Sequence, residues 1–360
     1  MLFSRLIVRR VRLASGLLLL LFVAGHLSNL ALGLVSVDAM ERWRDVLLTP
    51  WQTGFGQGLL LAAGIVHAGF GLASLASRRS LAISRTDWVQ LLLGLATPPL
   101  LVNHVVGLQV TSDLVARFGA PLFALQQLFV VIVWAHGAIG LYSALVLRRS
   151  WPRLAPIVVP ILFAIPILAL LGFAHAGESV LARLATDTAW RALIEQNLQI
   201  RLDMGHRLSV IQRGVFLGYG IVVALAVGTL ALNMLRQRRT SALVSYDGAL
   251  TAVGRIGMSI LEVSRANDIP HASVCGGRGR CGTCRIIVPA DADLDPPAEA
   301  ELATLHQVKG PANARLACQA HLLGRPVNAR RMYSVFVDAE AAREPGSWAM
   351  ASEPDLETVP

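Results

Sequence analysis

Six stretches without a charged residue, 13–37, 46–77, 88–112, 118–147, 154–177 and 214–235, fill most of the first 235 positions of the chain. The shortest has 22 residues, and about 20 apolar residues suffice for a helix to cross a bilayer. Six transmembrane helices are therefore expected. With 54% hydrophobic and 15% charged residues among 360, and a mean hydropathy of +0.56, the chain is too apolar for an ordinary soluble enzyme. No short apolar segment with a small-residue cleavage site opens it, so residues 1–20 are not read as a removable signal peptide.

A net charge of +9 could mark a nucleic-acid binder, but the arginines lie between the apolar stretches instead of forming one patch, and nucleic acid is not an expected partner. They mark topology instead. Arg5, Arg9, Arg10 and Arg12 precede the first stretch; Arg78, Arg79 and Arg85 follow the second; Arg148, Arg149 and Arg153 follow the fourth; Arg236, Arg238 and Arg239 follow the sixth. With six spans all four groups fall on one side. Arginine excess belongs to the cytoplasm, so both termini are expected there, in a bacterial inner membrane. The odd connections mix in acids such as Asp38, Glu41, Asp45 and Asp113, and the long connection 178–213 is expected to hold an interfacial helix.

Five stretches carry a histidine: His26, His67, His104, His136 and His175. Two lie in a repeat. "HAGFGLAS" runs from His67 to Ser74 and "HGAIGLYS" from His136 to Ser143, each followed by Arg-Arg-Ser, at 78–80 and 148–150. At a helical rise of about 1.5 Å per residue, His67 lies about 17 Å from Arg78, His136 about 18 Å from Arg148, His26 about 21 Å from Arg12 and His104 about 26 Å from Asp87. Depth sorts four histidines into an inner pair, His67 with His136, and an outer pair, His26 with His104. Polar side chains in hydrocarbon need partners, and two imidazoles facing each other across a bundle are what a six-coordinate haem iron takes. The alternative is that each histidine bonds a neighbouring helix or lines a polar cavity. His175 has no partner at its depth; it is expected to meet a quinone, an outer haem edge or only the interface. His206, His271, His306 and His321 are expected to be exposed.

After residue 240 the pattern turns soluble. "ALVSYDGALTAVGRI" alternates like strands, "MSILEVSRANDI" and "PAEAELATL" look helical, "CRIIV" reads as a short strand, and "RLACQAHL" follows the second helical stretch. An α+β domain over 241–335 fits this order. Residues 336–360, with six carboxylates, one arginine and three prolines, read as an acidic tail or linker. The chain's four cysteines fall in this domain as Cys275-x5-Cys281-x2-Cys284 and Cys318. In a reducing compartment they point to metal, not disulfides. Paired C-x2-C units suit zinc, whereas three clustered ligands and a remote fourth suit a [2Fe–2S] cluster. Gly276, Gly277, Gly279 and Gly282 give such a loop the freedom to wrap a cluster and bring N–H groups to its sulfurs. Zinc stays the alternative.

On these residues 241–335 resemble a β-grasp ferredoxin, with the x5, x2 spacing of the adrenodoxin-like branch. "CGGRGRCGTCR" and "RLACQ" resemble the ferredoxin module of membrane-bound bacterial class III adenylyl cyclases, in which a six-helix cytochrome b-like anchor precedes the ferredoxin. The anchor is similar to the dihaem membrane subunit of succinate dehydrogenases and fumarate reductases, where histidines of the first and third and of the second and fourth helices pair. The resemblance implies an all-α membrane bundle (1–240) followed by an α+β ferredoxin domain. It also implies two b haems on His26/His104 and His67/His136, a [2Fe–2S] cluster on Cys275, Cys281, Cys284 and Cys318, and electron exchange with a membrane quinone. Nothing in 336–360 resembles a cyclase catalytic domain, so a regulatory part of a cyclase, a standalone quinone-linked redox protein, and a membrane protein with a zinc-binding tail all stay open. Expected partners are the lipid bilayer, a quinone or other redox donor, a cyclase domain or cytoplasmic redox protein, and a second copy of the chain. No catalytic residue is expected, since the cofactors carry the chemistry.

Overall fold

The structure, a computed structural model, describes residues 5–110, 120–148, 150–237 and 241–333; the expected tail 336–360 lies outside them. Seven helices come first: α1 (Arg5–Ala31), α2 (Val37–Gln52), α3 (Gly54–Ala76), α4 (Arg85–Val110), α5 (Ala120–Leu145), α6 (Trp151–Thr186) and α7 (Thr188–Gln237). Six are long and apolar enough to cross a membrane. Their outward surface is apolar: Phe55 is 81% exposed, and Leu21, Leu61, Phe163 and Leu217 also face out. That suits a surrounding lipid phase, where burying such side chains against protein gains little.

Two boundaries differ from the expectation. Residues 46–52 belong to α2, a separate helix that carries the charges of the first connection, not to the second span. Pro50 and Thr53 divide the charge-free run: Thr53 is extended and its hydroxyl accepts the Gly56 N–H at 3.0 Å, which starts α3 afresh. The connection 178–213 is not a separate interfacial helix. It is shared by the ends of α6 and α7, which meet at Asp187, whose carboxylate accepts the Trp190 N–H at 2.9 Å. Only Leu208–Arg236 of α7 is apolar enough to span.

Close backbone approach and internal polar bonds hold the bundle. Gly33, in the turn after α1, and Gly172 of α6 pass so near that a β-carbon on either would run into the other segment's backbone, as small residues permit. Trp134 donates to the Leu162 carbonyl at 2.7 Å, Tyr219 to Leu95 at 2.7 Å and Asn233 to Ala76 at 3.1 Å. α1 packs along α3 and α6, and α4 along α5 and α7.

The last region is a mixed sheet with two helices. Strands β1 (Ser241–Tyr246), β2 (Leu250–Arg255), β3 (Arg285–Ile287), β4 (Ala314–Leu316) and β5 (Val327–Arg331) lie in the order β2-β1-β5-β3-β4. β1 pairs antiparallel with β2 and parallel with β5. The β1–β2 turn needs positive φ at both Asp247 (52°) and Gly248 (74°), which an Asp-Gly pair supplies. α8 (Ile260–Ala266) starts in a capping box between Ser259 and Glu262, and α9 (Glu299–Gln307) follows the cysteine loop. Val244, Tyr246, Ile260, Val263, Ile286, Leu316 and Leu322 form the core. β1, β2, β3 and the two helices fall where the sequence pattern puts them, whereas β4 and β5 were not expected from it.

Candidate metal centres

The cysteine loop has no regular structure between α8 and β3 because its glycines forbid it. Gly276, Gly277, Gly279 and Gly282 have φ of 71°, 93°, 63° and 70°, the left-handed region that side chains avoid. Neighbouring elements fix the loop. The Thr283 hydroxyl accepts the Val274 N–H at 3.0 Å and lies 3.1 Å from the Cys281 sulfur, and Thr304 of α9 donates to the Gly279 carbonyl at 2.7 Å. Cys318 is placed separately. Buried Glu301 takes both Arg315 nitrogens, at 2.9 and 3.1 Å, and the Leu316 N–H at 2.8 Å, which anchors β4 just ahead of it. Thr283, Thr304 and the Glu301–Arg315 pair were not readable as site residues from the sequence; an acid at a core-facing position of α9 was the one signal.

All four thiols are buried, and they stand as two pairs. The Cys284 and Cys318 sulfurs are 3.4 Å apart, and Cys275 and Cys281 share a second buried cluster, where the Cys281 thiol draws the Cys275 thiol well below its ordinary range against the effect of burial, with help from the N–H groups of Arg280, Arg278 and Gly277. Cys281 and Cys284 are pushed up by their thiol partners and by burial. Among the described residues no three His, Cys, Asp or Glu side chains are gathered to hold a single metal ion. Two pairs suit a two-iron cluster, which takes two thiolates on each iron. Backbone N–H groups aimed at Cys275 would stabilise the negative charge of a bound cluster.

In the bundle the structure brings the four histidines together in the expected pairs. The His67 and His136 ring centroids are 6.0 Å apart at 89°, and those of His26 and His104 are 6.0 Å apart at 74°. With metal–nitrogen bonds of about 2 Å and roughly 1 Å from nitrogen to ring centre, two imidazoles on opposite sides of one metal stand about 6 Å apart, so both pairs fit a haem iron. His67 Nδ1 bonds the Arg12 carbonyl at 3.1 Å, His136 Nδ1 the Gln90 carbonyl at 3.2 Å, and His104 Nδ1 the Gln126 side chain at 2.7 Å. For the inner pair this puts the proton on Nδ1 and would leave the Nε2 lone pair available to a metal.

The bundle also shows more of the repeat than the octets do. A β-carbon on Gly16 of α1 would meet the His67 ring at 2.7 Å, and one on Gly94 of α4 the His136 ring at 2.9 Å. Arg12, Gly16 and His26 on α1 have the spacing of Gln90, Gly94 and His104 on α4. The repeat unit is thus a helix pair, α1 with α3 and α4 with α5. The first helix gives a carbonyl, a gap for the ring and an outer histidine; the second gives the inner histidine. Gly16 and Gly94 give no signal in the sequence, where a glycine among apolar residues is ordinary.

Of the other histidines, His175 is exposed on α6, and His306 is exposed as expected. His206 lies in α7 with its side chain outside the described residues. Two expectations fail. His271 is tucked against Tyr246, its Nδ1 2.9 Å from the Ser264 hydroxyl; burial pulls its pKa down to about 4, with the Arg331 charge adding to this and the Cys284 carbonyl opposing it. His321 is half-buried and bonded to Asp295 at 2.8 Å. Both rings cover core that short loops leave open.

Residues 246–323 match the 2Fe-2S iron-sulfur cluster binding domain family. The chain is similar to a 2Fe-2S ferredoxin of Rickettsia prowazekii (strain Madrid E), 32% identical over 89 residues, covering 24% of this chain and 80% of that protein. It is also similar to 2Fe-2S ferredoxin-5 of Aquifex aeolicus (strain VF5), 33% identical over 69 residues, covering 19% of this chain and 72% of that protein. No solved structure gives a match.

Proposed function

We propose, from the premise that the chain belongs to the 2Fe-2S ferredoxin family, that it is a membrane electron-transfer and redox-sensing protein whose bundle holds two b haems. The observation that carries the haem reading is the matched geometry of the two histidine pairs, each at 6.0 Å between ring centroids. The two thiol pairs support Cys275, Cys281, Cys284 and Cys318 as cluster ligands, and the sheet order supports a β-grasp domain.

The haems and the cluster, when bound, each take up or give up one electron at a time. The residues position them. Arg12 and Gln90 carbonyls orient the inner imidazoles, Gly16 and Gly94 leave room for them, and the glycine loop offers amides to the cluster's charge. No proton-transfer residue is required. The arginine flanks support a cytoplasmic ferredoxin domain, and a membrane quinone is the class of donor or acceptor that a bilayer offers. The likeness to cyclase anchors supports an output in which the redox state regulates adenylyl cyclase activity. A standalone quinone-linked ferredoxin is the second reading, favoured by relatives that are ferredoxins.

The test is the optical and paramagnetic spectrum of purified full-length chain with its iron content. Haem absorption at one haem per histidine pair plus a reduced-cluster signal is expected. Colourless protein containing zinc would end the reading. Production of cyclic AMP by cells expressing the full locus separates the two outputs.

A further inference from the structure

The cluster loop does not face solvent in this molecule. Arg278 pairs with Asp87 of α4 at 2.5 Å while its other nitrogen donates to the Cys275 carbonyl at 2.8 Å. Arg280 donates to the Ser143 carbonyl at 3.1 Å and to Ala144 at 3.4 Å, in the last turn of α5. Those carbonyls lack helical partners and carry the negative end of the helix dipole, so a guanidinium suits them. Leu147, just past α5, packs with Val274 and Tyr333 against Cys275, Cys281 and Val308, and Arg79 lies over Gly257. The Cys275/Cys281 pair thus faces the bundle, whereas Cys284 and Cys318 belong to the sheet's core.

The same helices set one inner histidine, His136, which lies on α5 and bonds the Gln90 carbonyl of α4. Asp87 lies three residues, about 4.5 Å along α4, from Gln90, whose carbonyl orients His136. Ser143 is seven residues, about 10 Å along α5, from His136 itself. We infer that Arg278, Arg280 and Asp87 latch the ferredoxin domain in cis onto the arginine-flanked end of the bundle, and that the inner histidine pair is the cluster's own electron partner. The latch stands on the contacts alone; the electron step rests on the haem reading above. In that step one electron passes, one centre being oxidised as the other is reduced, with no bond made or broken. A soluble redox protein reaches the Cys275/Cys281 side only when the latch opens.

The test uses the full-length, cofactor-loaded chain with Asp87→Arg, Arg278→Asp and the two together. Asp87→Arg leaves the cysteine loop's own sequence untouched, so it guards against a simple loss of the cluster in Arg278→Asp. Amide hydrogen exchange of residues 276–280 and 85–89 is expected to rise about tenfold in each single reversal and to return toward the original in the swapped pair, as a direct charge coupling demands. After the reduced chain is mixed with duroquinone, oxidation of the cluster is expected to slow about tenfold in the singles and recover in the pair. Unchanged exchange in both singles overturns the latch. Raised exchange with unchanged cluster oxidation overturns the inner pair as electron partner. Absence of haem from the unaltered chain sinks the haem reading and leaves the latch to be judged by exchange.

Discussion

The bundle and the ferredoxin domain position their candidate ligands by opposite means. In the bundle, ligands ride on long helices whose geometry is set by hydrogen bonding within each helix, so depth alone pairs them; the neighbours need only leave space, as Gly16 and Gly94 do. In the ferredoxin domain the ligands sit on a loop with no ladder of its own, at backbone angles few residues adopt. Its geometry comes from side-chain bonds, from Thr283 within the loop and from Thr304 and Glu301 beyond it. A site on regular structure tolerates changes around it that add no bulk, whereas a loop site depends on distant bonds.

The largest expected effect breaks the loop side. Cys281→Ser removes one iron's ligand, and the paramagnetic signal of the reduced cluster should vanish while haem absorption stays. On the bundle side, Gly94→Ala pushes a methyl into the His136 ring, and the inner haem should be lost with the outer retained, read as haem per chain; His67→Ala should do the same. An intact inner haem in Gly94→Ala would mean that the helices give way easily. Glu301→Ala leaves the Leu316 N–H without its acceptor and Arg315 with only the longer pairing to Asp295 at 3.6 Å, and should lower the opening free energy of the ferredoxin sheet by about 2 kcal/mol, measured by hydrogen exchange of β3 and β4 amides, with exchange of α1 and α3 unaltered.

A pH series sharpens the same contrast. His271 has a pKa of about 4 when folded against roughly 6.5 in an unfolded chain, so between these values the unfolded state binds the extra proton. The stability is complete above about pH 6.5 and is lost as pH falls toward 4, by about 3 kcal/mol in all. Exchange of β1 amides should show this fall and His271→Gln should flatten it. The smallest effect is expected from Ser259→Ala, which removes one half of the α8 capping box and should cost about 1 kcal/mol.

How far the sequence disclosed these sites follows from the same physics. The histidine pairs were legible because a helix converts residue number into depth, and the cysteine pattern because cluster ligands cannot be replaced. The Asp247-Gly248 turn was not singled out within its alternating stretch, although few residues accept its angles. α2 was hidden, because Val46 to Gln52 carries no charge and joins the following span; only Pro50 and the Thr53 cap part them. The second half of the repeat was hidden because its marker, a glycine, gains meaning only when a neighbouring helix sets a ring against it. His271 and His321 defied the expectation of exposure because polar rings can close a small core when each finds one partner.

In the proposed assembly each histidine pair would hold a haem while the glycine loop would hold a two-iron cluster. The paramagnetic spectrum of the purified chain, oxidised and then reduced, tests it most directly. Imidazole planes at 89° and 74° predict highly anisotropic low-spin ferric haem signals in the oxidised sample and a [2Fe–2S] signal on reduction. High-spin haem signals, or no haem signal beside an intact cluster, would contradict the account.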